Sequence, residues 1–328
     1  MYNNTSIYNA NGISYQLELG KWGINKINYL LNQSQLYSFN PSQKIIYIIQ
    51  QFMGTPFIFD AQLPIAKKGI LKVRLKSFDC LTFVHNMLAL SKASNFEEFI
   101  RNLYEIEFAW TEKNVVDNDP DKGNRLLFAC ESILINAINK KYVRDITGEL
   151  VKSNQLDIVE INVKRFQRPK KSDPRELFVS PKYGSGMKKE WFILINNIDK
   201  INKDLVKTGD IILLTKGKIS NSGIKQDVLI SHLVFAYKKN SEIYFIHASK
   251  DFILKQSLDT PNFCSGVYYD PKHQKEQLGV SFGCKHLGDE FNIHMNGIDY
   301  WAYDPMIKQS FIDYMKQNYW GAIFLRVL

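Results

Sequence analysis

Apolar residues recur at helical spacing through the first half of the chain. Asn40-Pro41 supplies an N-cap and a first-turn proline; Ile45, Ile46, Ile48, Ile49, Phe52 and Met53 follow, and Gly54 with Pro56 closes the segment. A second helix is predicted over residues 80–92, apolar at Leu81, Phe83, Val84, Met87, Leu88 and Leu90. It is hydrophobic nearly all round and is therefore expected to be buried. Ser94-x-x-Glu97 reads as a capping box opening a third helix, whose Phe96, Phe99, Ile100 and Leu103 share one face. Arg125–Asn139 predicts a fourth, and residues 114–124 between them an exposed loop.

Beyond about residue 150 the period shortens. Leu156–Val163, Trp191–Ile195, Asp210–Leu214, Leu229–Tyr237, Glu242–His247 and Gly321–Val327 predict short strands, separated by Gly, Pro, Asn and Lys clusters. Gln167–Pro181, rich in proline and charge, predicts a surface loop. The pattern points to an α+β protein, with a helical lobe over residues 1–150 and an antiparallel sheet or barrel over 151–328.

Composition changes this picture little. The 328 residues are 45% hydrophobic and 23% charged, which excludes collagen-like and wholly disordered classes. No apolar run approaches the ~20 residues that span a bilayer, and no basic-then-apolar stretch reads as a secretory leader. The net charge of +9 is spread over pairs such as Lys67–Lys68, Lys170–Lys171 and Lys188–Lys189. It suits a solvated surface or attraction to an anionic polymer. No nucleic-acid motif accompanies it. The four cysteines, at 80, 130, 264 and 284, are too scattered for a disulfide framework.

Chemistry concentrates at two places. In Ser77-Phe78-Asp79-Cys80-Leu81-Thr82-Phe83-Val84 a polar segment leads into the buried helix with a cysteine in its first turn. Backbone N–H groups there favour a thiolate and offer donors to an oxyanion. The alternative is a small apolar packing residue. Asp79 is a helix cap or a supporting group. The second place is a hairpin, Leu229–Tyr237 and Glu242–Ala248, turning through Lys238–Ser241. Pairing 238 with 241, or 237 with 242, sets His232 directly opposite His247, with Cβ atoms ~5 Å apart. One imidazole then holds the tautomer of the other, whose free nitrogen reaches a thiol. The alternatives are satisfied core histidines or half a zinc site. Cys284-x-His286 with His294 and Cys264 is a second, irregularly spaced metal candidate.

The order cysteine, histidine, histidine resembles the NlpC-type branch of the papain-like cysteine peptidases and amidases. It is similar above all to the bacterial N-acetylmuramoyl-L-alanine amidase-like family. The resemblance rests on Met53-Gly54-Thr55-Pro56-Phe57, Phe78-Asp79-Cys80-Leu81-Thr82-Phe83-Val84, Asn124-Arg125, Thr208-Gly209-Asp210-Ile211-Ile212, Ile230-Ser231-His232, Ile246-His247-Ala248-Ser249 and Gly321–Val327. It implies a papain-like core, Cys80 as nucleophile, His232 as base and His247 as orienting group, with no cofactor and no metal. The implied substrates are anionic peptidoglycan fragments, cut at the muramoyl–alanine amide or a stem-peptide bond. Lipid or protein acyl groups handled by the same residues, or a silent glycan- or partner-binding module, are the alternatives. Specific nucleic-acid binding is not expected. The implied location is periplasmic or secreted if a leader was removed, and otherwise cytoplasmic; the oligomeric state stays open. Phe57 stands where relatives often carry tyrosine, His85 where an acid is common, and Leu127-Phe128 where a more polar stretch is expected. Residues 114–124, 167–187 and 270–294 are the expected specificity loops.

Overall fold

A computed structural model describes residues 6–53, 55, 70–107, 133–162, 187–219, 225–239, 242–249, 266–270, 275–277, 279–283, 291–295, 298–302, 315–316 and 319–328. The chain opens with strands β1 (Ile7–Ala10) and β2 (Ile13–Glu18), followed by helices α1 (Ile24–Ser34) and α2 (Pro41–Gln51). Strand β3 (Leu71–Arg74) then precedes helices α3 (Cys80–Ser91) and α4 (Phe96–Glu107), a π-helical turn over Ile133–Ala137, strand β4 (Val143–Asp145) and the short α5 (Thr147–Leu150). Next come β5 (Leu156–Asn162), β6 (Met187–Leu194), β7 (Ile211–Ile219), β8 (Lys225–Lys239) and β9 (Glu242–Ser249). The remaining strands are β10 (Gly266–Asp270), β11 (Lys275–Gln277), β12 (Gly279–Gly283), β13 (Phe291–Met295), β14 (Ile298–Ala302) and β15 (Gly321–Val327). No helix among the described residues is long and apolar enough to cross a membrane.

Two of the expected helices form as their patterns require. The Asn40 side chain accepts the Gln43 N–H, with Pro41 in the first turn of α2. Helix α3 is buried from Leu81 to Ser91. The third helix starts one residue later than the Ser94 reading. Asn95, not Ser94, is the cap: its Oδ1 accepts the Glu98 N–H at 2.9 Å, while Glu98 Oε2 accepts the Ser94 N–H at 2.8 Å. Most of the expected Arg125–Asn139 helix, and the 114–124 and 167–181 loops, lie outside the described residues.

The first 150 residues are not purely helical. Strands β1, β2 and β3 form their own sheet, with β2 and β3 parallel, and β4 pairs with β15 in the large sheet. In that large sheet β8 pairs with β5, β5 with β6, β6 with β15, β15 with β7, and β7 with β8, so the pairings close into a ring. Alternation along each strand sends two rows of side chains to opposite faces. Ile211, Leu213, Leu233, Phe235, Ile246, Ala248, Ile323 and Leu325 join a core shared with helices α1 to α4. Ile212, Leu214, Val234, Ala236, Phe245, Ala322 and Phe324 join a second core with Ile146, Leu150, Ile198 and Val206.

Two glycines permit close approaches. Gly209, at φ +90, turns the chain into β7 where a Cβ would come within 2.6 Å of Ile45 on α2. At Gly321 a Cβ would meet the Ile193 carbonyl oxygen at 2.4 Å, so β15 lies against β6 only without a side chain there. Asp210, next to Gly209, is buried and its carboxylate receives Arg326 from β15, with Nε and Nη2 at 3.1 and 2.9 Å.

The β8–β9 register differs from the expected one. Lys239 pairs with Glu242 and Phe235 with Ile246, so the turn lies one residue further along than either reading allowed and each partner slips by two. Continued one step, that register sets Val234, not His232, opposite His247. The slip is even-numbered, so both histidines keep a common face; an odd slip would have separated them.

Candidate active site

Cys80 is held by the way α3 begins. Asp79 caps the helix: its Oδ1 accepts the Thr82 N–H at 2.7 Å, and Thr82 Oγ1 accepts the Asp79 N–H at 2.9 Å. The carboxylate is thus occupied as a cap, one of the two roles the sequence offered it. Phe78 is fully buried between Phe52 and Phe83, at ring separations of 5.8 and 5.7 Å, and Phe83 meets Phe235 of β8 edge-on at 5.7 Å. A run of rings therefore pins the residues on both sides of the cysteine to α2 and to the sheet.

Cys80 is a free thiol of intermediate exposure. Its surroundings oppose the thiolate expected at a helix start. Burial first, and then the Asp79 carboxylate, push the thiol up to about 12, against the backbone N–H groups of Leu233, Leu81 and Cys80 itself, which act in the other direction. The Leu233 amide matters for geometry too, because Leu233 is the residue after His232. The start of α3 therefore abuts β8 one residue from the expected base.

The two histidines meet. His232 Nε2 lies 2.8 Å from His247 Nδ1, with rings inclined by 76°. The diagonal placement left by the register brings them together, since rings reach diagonal neighbours on one sheet face. Engagement of Nε2 leaves Nδ1 as the His232 nitrogen available to another partner. Both rings are buried in apolar company: Phe245 packs edge-on against His247 at 4.8 Å, and Tyr319 lies parallel to His232 at 6.4 Å. Burial, with the Lys216 charge, pulls His232 down to about 4; burial and its neighbour hold His247 well below the ordinary imidazole range. The resting pair is neutral.

His232 pairs with Leu214, and His247 follows Phe245 by two residues, so both rings share the face of the second core. Helix α3 packs on the other face, against Phe235. The structure thus joins His232 to His247, and brings Cys80 to the strand backbone beside His232. A bulge at Ser231 separates the Leu214–His232 pair from Thr215–Ile230 and re-aims the strand there.

Tyr319 and Lys216 were not among the expected site residues. Lys216 Nζ sits 5.1 Å over the Tyr319 ring, which in turn faces His232. The signal available was position: Tyr319 directly precedes the Trp320-Gly321 segment, and Lys216 follows the motif strand begun at Asp210. His85 is buried with Nδ1 3.6 Å from the equally buried Glu107 carboxylate. Phe57, Leu127 and Phe128, the three other cysteines and His286 lie outside the described residues, as does the side chain of His294.

The family described as N-acetylmuramoyl-L-alanine amidase-like matches residues 47–263, which include Cys80, His232 and His247. An N-acetylmuramoyl-L-alanine amidase from Bacteroides uniformis shares the fold at a TM-score of 0.51 and 16% identity, covering 87% of this chain and 98% of its own. Protein LPG0564 from Legionella pneumophila does so at 0.50 and 18%, covering 93% and 97%. No curated protein matches the chain in sequence.

Proposed function

The chain belongs to the N-acetylmuramoyl-L-alanine amidase-like family, and from that premise we propose that it is a cysteine-dependent amide hydrolase of the NlpC, papain-like type acting on peptidoglycan. Its fold would be the papain-like one, with a nucleophile-bearing helical lobe and a histidine-bearing β lobe. The bond cut would be the muramoyl–alanine amide or one in the stem peptide, presented on an anionic fragment that the +9 chain attracts.

Cys80 Sγ attacks the carbonyl carbon, and its proton passes to His232 Nδ1. The carbonyl oxygen takes up negative charge beside the backbone N–H groups at the start of α3. His232 then protonates the leaving amine, and water releases the thioester by the same route reversed. His247 Nδ1 holds His232 Nε2 throughout, which keeps the reactive nitrogen in one tautomer. The observation that carries the reading is the 2.8 Å contact between the imidazoles, one residue from the amide that faces the cysteine sulfur.

The mechanism makes one geometric demand: Sγ and Nδ1 must come within hydrogen-bond reach when substrate enters. Catalytic contacts commonly tighten in this way only in the substrate complex. The His232 Cα is only ~2.4 Å from the Leu233 nitrogen by peptide geometry, so the backbone separation is small. Digestion of purified muropeptides followed by mass spectrometry tests the proposal. Products that form with the native chain and vanish with Cys80→Ala support it; equal turnover by that variant ends it.

The neutral thiol and neutral imidazoles favour a second reading, a fold kept for binding without turnover. That reading predicts no product from muropeptides, or from lipid or protein amides, at any substrate concentration.

A further inference from the structure

The segment that enters α1, the N-terminal half of that helix and the C-terminal half of α2 enclose a recess of about 440 Å³, remote in sequence from both halves of the site above. Its size falls within the ~300–1,000 Å³ range of small-molecule sites. Lys21 and Lys26 supply two ammonium groups, and among the described residues its lining carries no carboxylate. Partial burial first, and then the neighbouring Lys26 charge, hold the Lys21 ammonium below its usual range. An anion between the two would relieve their repulsion.

The rest of the lining is built for a ring bearing hydroxyl groups. Tyr29 presents an open aromatic side chain, 66% exposed, and Tyr47 and Gln51 from α2 add a phenol and an amide. Trp22 closes the wall: Phe52 stacks on its ring at 4.4 Å, and Lys26 Nζ lies 4.7 Å from the ring centre. The buried Trp22 Nε1–H has no acceptor among the described residues. The set is rich in donors, doubly cationic, and carries one free aromatic face. A phosphate or other small anion would use the lysines and leave Tyr29, Tyr47 and Gln51 idle; a neutral sugar would leave the lysines idle.

We infer that this recess is a second binding site, for a sugar that carries a carboxylate. Lys21 and Lys26 take the carboxylate, Tyr29 covers a ring face, and Tyr47 with Gln51 bonds the hydroxyls. The site does not depend on turnover at Cys80. Its wall is nonetheless continuous with the nucleophile segment, because Trp22 stacks on Phe52 and Phe52 on Phe78, two residues before Cys80.

Calorimetric titration of the full chain carrying Cys80→Ala, with N-acetylmuramic acid, N-acetylglucosamine and acetate, tests the inference apart from catalysis. The acidic sugar is expected to bind in the millimolar range, at least about tenfold more tightly than the neutral sugar or acetate. K21Q/K26Q should weaken the acidic sugar about tenfold while the melting temperature stays put, and Tyr29→Ala should weaken both sugars. Equal binding of the two sugars, acetate binding as tightly as the acidic sugar, no binding of the acidic sugar, or binding untouched by K21Q/K26Q each overturns the inference. Turnover by Cys80→Ala in the muropeptide digestion would instead overturn the catalytic proposal and leave this one standing.

Discussion

The start of α3 and the histidine end of β8 and β9 solve opposite problems. At α3 position is over-determined: a reciprocal cap, a buried phenylalanine on either side of the cysteine, and a ring contact to the sheet fix where Cys80 sits. At the histidines two polar rings satisfy one another across 2.8 Å in apolar surroundings, and each is kept uncharged. The comparison teaches that placing a thiol and activating it are separate tasks. The helix accomplishes the first while its own cap, Asp79, works against the second.

The comparison breaks first at the sulfur. Cys80→Ala should lower muropeptide turnover by about 10⁴-fold or more with the far-UV spectrum unchanged; turnover within tenfold of native would remove the reason to call α3 a nucleophile helix. Phe83→Ala should cost about 3–5 kcal/mol in urea unfolding, because it empties the contact that ties α3 to β8. A loss below about 1 kcal/mol would mean that the helix start is held by its cap alone.

On the histidine side the sign follows from burial. Burial pulls His232 down to about 4 in the folded chain from the ordinary imidazole value of 6.5 in the unfolded one, so the folded state binds its proton less readily. Stability is fully present above about pH 6.5 and is lost as pH falls toward 4, by about 3 kcal/mol from this ring. Urea midpoints at pH 7 and pH 4, compared between the native chain and His232→Gln, measure it; an equal acid loss in both would place the sensitivity elsewhere. The smallest change sharpens the contrast most. Asp79→Asn retains an N-cap acceptor and removes the charge beside the sulfur, so it should cost less than about 1 kcal/mol. It should also lower the thiol pKa, read as faster iodoacetamide labelling at a given pH; unchanged labelling would mean that burial alone sets the thiol.

The helices around Cys80 were legible because their caps and apolar stripes are local signals: Asn40-Pro41 and the continuous apolar run after Cys80 needed nothing from elsewhere in the chain. The strands from β5 to β9, and β15, announced themselves through short apolar runs between turn residues. The hairpin at Asn11-Gly12, with both φ values positive, was equally readable as a two-residue turn but was lost among short, half-polar strands. The parallel pairing of β2 with β3, and the antiparallel pairing of β4 with the far end of the chain, have no local signature at all. For the site, the sequence gives the face but not the register: parity along β8 and β9 is intrinsic to the pattern, whereas the turn position depends on how the tip closes. Tyr319 and Lys216 reach His232 only through pairings made at long range. The charge states were illegible for the same reason, since burial is a property of the assembled core.

Strand β15 gives the architecture a kinetic signature. It is bound to β4, β6 and β7 at once, and its Phe324 N–H donates to Thr147 Oγ1, 177 residues away. Until that segment leaves the ribosome, three strands offer open edges, and loop closure over such spans is slow. Nascent chains stopped before Gly321 should therefore be the aggregation-prone species, and those that include Val327 the first able to bury both cores.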